Sequence, residues 1–258
     1  NGASVFRPPY VGTEKPNYFV SSLQTNLLPS YAPVASMPTL DWVYQRFKNV
    51  QIDHRDGKAS QATRPSDYMP FYGADVAKDT NHAALRLMMN DPLTAKMPAL
   101  IAYVQAGIDY YHFMKGGMRW KSGNGEQPGN KLVPTFAAAL LNDQEMKNYI
   151  KTIPLYEDEH VQPGHNGVAL FGHKIGNFSN DWSEEGYWNR VVTGAGNKTK
   201  ADPYGYVDGG AHPSDEYQVC CTSQLFKGTA LALKLMPALQ QAWNPTLLYN
   251  YAERWVTF

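Results

Sequence analysis

Three stretches of this chain carry side chains able to move protons or grip a ligand. The first, YEDEHVQPGHNG, sets Glu157, Asp158 and Glu159 beside His160 and His165. Neighbouring carboxylates repel, so one of them is expected to keep its proton to unusually high pH and could act as an acid. A histidine titrates near neutrality and suits the same work. A solvated acidic turn is the plainer reading of these residues. A divalent cation such as calcium is a third, because several oxygen ligands cluster there, although the spacing is not that of an EF-hand loop.

The second stretch, NFSNDWSEEGYWNRVV, holds Trp182, Glu184, Glu185, Tyr187, Trp188, Asn189 and Arg190. Indole faces stack on sugar rings, while Asn and Arg bond hydroxyls or pair with a uronic carboxylate. Structural packing competes with ligand contact for both tryptophans. The third, YGYVDGGAHPSDEYQVCCTS, holds Tyr204, Tyr206, Asp208, His212, Asp215, Glu216 and Tyr217, with Gly209 and Gly210 allowing close backbone approach. Cys220 and Cys221 follow side by side. A bridge between neighbours closes a strained ring, so two free, buried thiols anchoring the loop above them are expected. They make no zinc site without histidine partners at suitable spacing.

These side chains fit two reactions. Elimination on a uronic-acid glycan needs a base for the proton α to the carboxylate, groups that neutralise that carboxylate, and an acid for the leaving oxygen. His212, Tyr187, Tyr206, Asn189 and Arg190 have the types required, with Trp182, Trp188, Tyr204, Asp208, His160 and Lys131 as substrate contacts. Hydrolysis needs two carboxylates about 5 to 9.5 Å apart, and Asp158, Glu185, Asp208 and Glu216 are candidates. Tyrosines, Asn and Arg outnumber isolated carboxylates in these loops, which favours elimination.

The bulk composition agrees with a neutral or weakly charged ligand. Twenty-three basic and 23 acidic residues give a formal charge of +0, which argues against a polyanionic nucleic-acid partner. Charged residues are 18% of the chain, below the roughly 25% usual for soluble domains. No run of about 18 apolar residues occurs, so no membrane span is expected. The sequence opens on Asn-Gly-Ala-Ser without methionine, as a processed product would. Sequons at Asn177 and Asn197 permit glycosylation. Export to a periplasmic or extracellular location is the expectation.

The elements that must position these loops are helical. Residues 1–73 are rich in X-Pro pairs, which disfavour helix, and read as an extended arm with one short helix near Thr39 to Phe47, capped by Thr39. Residues 74–258 read as the main body. A helix is expected from about Ala74 to Met89. A second runs through DPLTAKMPALIAYVQAGIDYYHFMKGG, where Met97, Leu100, Ile101, Val104, Ile108 and Tyr111 share one face and Gly116-Gly117 stops it. There Pro98 is expected in the first turn or at the true start. KLVPTFAAALLNDQEMKNYI reads as one more helix. Residues 154–218 are irregular, with short strands at VALFG and RVV. Helices return in CTSQLFKGTALALKLMPALQQAW and PTLLYNYAERWVTF. The pattern is an all-α array of hairpins with a loop-built face, and its helical character at the last residues points to further sequence or a partner chain completing the body.

Other polar residues read as structural. DHRDG, from Asp53 to Gly57, pins the arm; His82 and His112 are interface histidines within helices. GNGEQPG lacks the Lys-Ser/Thr of a phosphate loop, and neither an esterase nor a zinc-protease signature occurs.

Four segments, FRPPYVGTEKP, IAYVQAGIDYYHFMKGGMRW with GNKLVPTFAAALL, YQVCCTS, and AWNPTLLYNYAERW, cover about half the chain. Together they resemble a group of exported bacterial proteins with an (α/α) toroid of helical hairpins that act on polysaccharides. The resemblance implies an incomplete toroid whose loops face a glycan cleft. In that group the Gly-rich loop carries a histidine and then Gly-Arg-Lys. Here Glu126 or Gln127 stands at the histidine and Asn130 at the arginine, while Lys131 remains. Those losses favour a rival from another class, a non-catalytic surface or filament protein on the same scaffold.

Overall fold

The computed structural model describes residues 4–8, 13, 16–49, 73–118, 120, 128–159, 161–163, 169–171 and 225–256. The described residues are mostly helical, with two small two-stranded ladders.

The arm enters through β1 (Val5–Phe6) and β2 (Tyr18–Phe19), paired antiparallel with Val5 opposite Phe19. Single 3-10 turns follow at Val20–Ser22 and Thr25–Leu27. Its backbone is tied to the body by Gln24 N donating to the Leu140 carbonyl at 2.7 Å and by Tyr31 N donating to the Met88 carbonyl at 3.0 Å. The arm also supplies core residues: Phe6 and Leu23 are buried. Helix α1 (Leu40–Phe47) begins where the sequence expects, with the Thr39 hydroxyl accepting from Trp42 N at 3.0 Å. It buries Val43 and Phe47 against the body. The stretch Asp53 to Gly57 lies outside the described residues.

Helix α2 (Gly73–Leu87) and helix α3 (Leu93–Lys115) form the centre. At 23 residues, α3 is about 35 Å long, and it packs on α1 and on α4 (Leu132–Leu141). The crossing with α4 is close because position 107 has no side chain: a methyl there would stand 2.5 Å from the Val133 carbonyl oxygen. Pro98 lies inside α3, five residues after its start, rather than in the first turn. Pro92 caps the helix and sets its beginning earlier than the sequence pattern indicates.

The expected single helix after the Gly-rich loop is two. Asn142 adopts the left-handed conformation (φ 52), and Asp143 then caps α5 (Gln144–Thr152) by accepting from Met146 N at 2.8 Å. A short helix α6 (Tyr156–Glu159) leads into β3 (Val161–Pro163), which pairs antiparallel with β4 (Ala169–Phe171). The latter is the strand expected at VALFG; the one expected at RVV lies outside the described residues. After residue 224 the chain returns as α7 (Phe226–Leu235), a 3-10 turn at Pro237–Gln241 and α8 (Thr246–Val256). Helix α7 packs on α2 and α8. Among the described residues no helix is long and apolar enough to cross a membrane.

Candidate functional site

Most of the side chains singled out for chemistry lie outside the described residues: His160, His165, Trp182, Tyr187, Trp188, Asn189, Arg190, Tyr204, Tyr206, Asp208, His212, Glu216, Cys220 and Cys221. What the structure describes is the ground on which their stretches are rooted, together with Lys131, Glu157, Asp158 and Glu159.

The turn expected to be solvated is instead built into the core. Glu157 is 1% exposed and Tyr156 is fully buried. Glu157 Oε1 accepts the Gly129 backbone N–H at 2.8 Å, while Oε2 has no hydrogen-bond partner. Burial pushes this carboxyl up from 4.5 to about 7, with the charge of Asp158 adding to the rise. Repulsion between neighbours, the reason visible in sequence, is therefore the smaller cause. Near neutrality Glu157 is poised between its acid and its carboxylate, sealed from solvent.

Asp158 does different work. Its Oδ2 accepts Lys131 Nζ at 2.5 Å and Leu155 N at 2.9 Å, and its Oδ1 accepts the Trp243 indole at 2.9 Å. Lys131, placed by sequence among the substrate contacts, is 1% exposed. Its ammonium also donates to the Ile153 carbonyl at 2.9 Å and lies 5.2 Å from the Trp243 ring centre. Charge so enclosed must be paired, and the pairing removes Lys131 from any ligand and Asp158 from a hydrolytic carboxylate pair. The same contacts occupy both oxygens of Asp158. Among the described residues no group of three or more His, Cys, Asp and Glu side chains could hold a metal ion.

Helix α2 supplies the second half of the foundation with Thr80 and Asn81. The Thr80 hydroxyl donates to the Gly129 carbonyl at 3.0 Å, and Asn81 Nδ2 donates to the Leu225 carbonyl at 3.1 Å. Thr229 closes the set by donating to Asn81 Oδ1 at 2.9 Å. Gly129 ends the Gly-rich loop and Leu225 opens the return from residues 172–224. Consecutive residues of one buried helix thus hold the ends of both stretches. Sequence reasoning passed over Thr80, Asn81, Gly129 and Trp243; the polar run Lys78 to His82 in the middle of α2 was the available signal, and only the structure shows that Asp79, Thr80 and Asn81 within it are buried.

A second titratable cluster lies at the end of α3. The Tyr18 hydroxyl and His112 Nε2 are 2.9 Å apart, so His112 is a satisfied interface histidine whose pKa is lowered by burial. His82, by contrast, is exposed on α2. No family model, no curated protein and no solved structure matches this chain.

Proposed function

We propose that this chain binds an extended polysaccharide and cleaves it by elimination at a uronic-acid residue, on a helical frame of the (α/α) toroid type. One observation supports the reading. The ends of the Gly-rich loop and of the long Trp- and Tyr-bearing stretch are hydrogen-bonded to adjacent buried residues, Thr80 and Asn81, of one helix. A glycan cleft needs such rooting, because catalysis depends on holding several loop side chains in one geometry.

In this reading His212, Tyr187 or Tyr206 removes the proton α to the carboxylate. Arg190 and Asn189 stabilise the resulting carbanion through the carboxylate oxygens, and Glu216 delivers a proton to the departing glycosidic oxygen. Trp182, Trp188 and Tyr204 stack on neighbouring sugar rings, with His160 and Asp208 bonding hydroxyls. Glu157 and the Lys131–Asp158 pair touch no substrate and act as supports. Hydrolysis through Glu216 with Asp208 or Glu185 is the neighbouring alternative.

Burial of Asn130 and Lys131, each 1% exposed, favours a second reading, a non-catalytic glycan-binding or assembly-forming protein. Incubation with a panel of uronic and neutral polymers separates the readings. Growth of the unsaturated-uronate absorbance supports elimination, and new reducing ends without it support hydrolysis. Binding without either, or ordered self-assembly with no glycan response, overturns cleavage.

A further inference from the structure

The end of α2 and the start of α3 meet in a charged corner that the proposed cleavage does not use. Arg86, 7% exposed, holds Asp91 through both terminal nitrogens, with Nη2 donating to Oδ1 at 2.8 Å. Its Nε donates to the Pro38 carbonyl at 2.9 Å. Lys96, the fourth residue of α3, is 4% exposed. Helical side chains lean toward the N-terminus of their helix, which carries Lys96 back toward Asp91 and Arg86, the two charges that act on it. Its amine donates no hydrogen bond to a described residue.

Three features disfavour a proton on that amine. Burial strips water from the ammonium, the Arg86 guanidinium repels it, and the start of a helix adds about half a positive charge. Asp91 opposes them, but it is already paired with Arg86. Burial, with the charge of Arg86 adding to it, holds Lys96 below the usual lysine range.

The same corner lacks a negative group. Helix α3 begins at Pro92, which offers no side-chain cap, and no acid stands in its first turn. The Ala95 and Lys96 amides both donate to the Pro92 carbonyl. Those of Leu93 and Thr94 come too early to find a carbonyl within the helix.

An amine without its proton is a nucleophile. Because Lys96 is nearly sealed, what reaches it must be small, and an ion would have to shed its water to enter. Carbon dioxide is small and uncharged, combines with the free amine, and becomes an anion once bound.

We propose that Lys96 takes up carbon dioxide as a carbamate, its oxygens facing the Arg86 guanidinium and the open amides at the start of α3. The Nζ lone pair forms the N–C bond, one C=O π pair moves onto oxygen, and an N–H proton passes to solvent. A cation is thereby replaced by an anion. Counting Lys96, Arg86, Asp91 and the helix end, the local charge goes from about one and a half positive to about half negative. Asp91 is the one group there that opposes the carbamate. The site shares no residue with positions 154–218 and stands or falls apart from the glycan reading.

The test equilibrates the full chain with carbon-13-labelled sodium bicarbonate in a sealed tube at mildly alkaline pH, followed by carbon-13 NMR. One carbamate resonance that saturates with bicarbonate is expected beside that of the α-amino group. Trapping with triethyloxonium ion and peptide mass mapping should place it on Lys96. Lys96→Arg keeps the charge and should lose the resonance. Asp91→Asn removes the attraction that favours the ammonium and the repulsion that opposes the carbamate, so occupancy at subsaturating bicarbonate should rise about threefold. A parent that shows only the α-amino carbamate overturns the site, and so does a second resonance that persists in Lys96→Arg. Unchanged or lower occupancy in an Asp91→Asn variant with the circular dichroism of the parent overturns it as well.

Discussion

The indole of Trp243 donates to Asp158 across 85 residues of sequence, at 2.9 Å. The other oxygen of that carboxylate takes the ammonium of Lys131, which itself lies under the same indole ring. Three residues from three segments thereby close one charge network.

Removing one member should cost more than a surface ion pair does. Trp243→Phe keeps an aromatic ring but leaves Asp158 Oδ1 without its donor, an expected loss of about 1–3 kcal/mol. Lys131→Met leaves a carboxylate unpaired, an expected loss of roughly 2–4 kcal/mol, tempered by the partial exposure of Asp158. Urea denaturation measures both. A cost below about 0.5 kcal/mol for Lys131→Met would mean that the pair contributes no more than an exposed one.

Glu157 ties stability to pH. Below about 4.5 both folded and unfolded chains carry its proton, and the group is neutral to stability. Between there and about 7 the unfolded chain releases the proton while the folded chain holds it, so stability falls as pH rises. The full loss, on the order of 3 kcal/mol, is in place above about 7. Asp109, raised by burial from 3.8 to about 7, acts in the same direction. Glu157→Gln keeps an acceptor for Gly129 N–H and cannot ionise. Its stability relative to the parent should therefore improve steadily from pH 4 to pH 8; a gap that stays constant with pH would refute the assignment.

Two glycines with positive φ should respond differently to alanine. At Gly129 (φ +92) a methyl would stand 2.3 Å from Ala77 Cα, a backbone atom that cannot swing aside. At Gly117 (φ +106) it would meet nothing within 4 Å. Gly117→Ala is expected to cost about 1 kcal/mol of backbone strain. Gly129→Ala adds the collision and should cost several times more, or leave little folded protein. Equal melting temperatures for the two variants would show that the loop end is not clamped.

The proposed reaction predicts losses at two positions. On a polymer that the parent cleaves, His212→Ala and Tyr187→Phe should each lower kcat about 100-fold or more, the usual contribution of a general acid or base. Circular dichroism should be unchanged. Turnover within a few-fold of the parent for both variants would displace the site from these residues.

Much of the frame was legible in the sequence because helix signals are local. Thr39 before an apolar repeat gave the start of α1, and Gly116-Gly117 gave the end of α3. The break between α4 and α5 was also written locally, in Asn142-Asp143, but the apolar run on one side and the periodic run on the other masked it. Pro98 misled for a related reason: proline is usual in a first turn, yet packing of α3 on two other helices tolerates it further in.

The acidic turn shows where local reading stops. Adjacent Glu157, Asp158 and Glu159 look solvated because charge is normally left in water. The structure buries the first against Gly129 and pairs the second with Lys131 and Trp243, partners 28, 27 and 85 positions away. The sequence by itself determined a mostly helical character, the principal helix positions and the side-chain types on offer in each loop, since periodicity, capping and composition involve neighbours along the chain. Tertiary structure decided which charges are enclosed, which carboxyl is held near neutrality and where both loop ends are fastened. Desolvation and pairing depend on distance in space, and separation along the chain does not encode that distance.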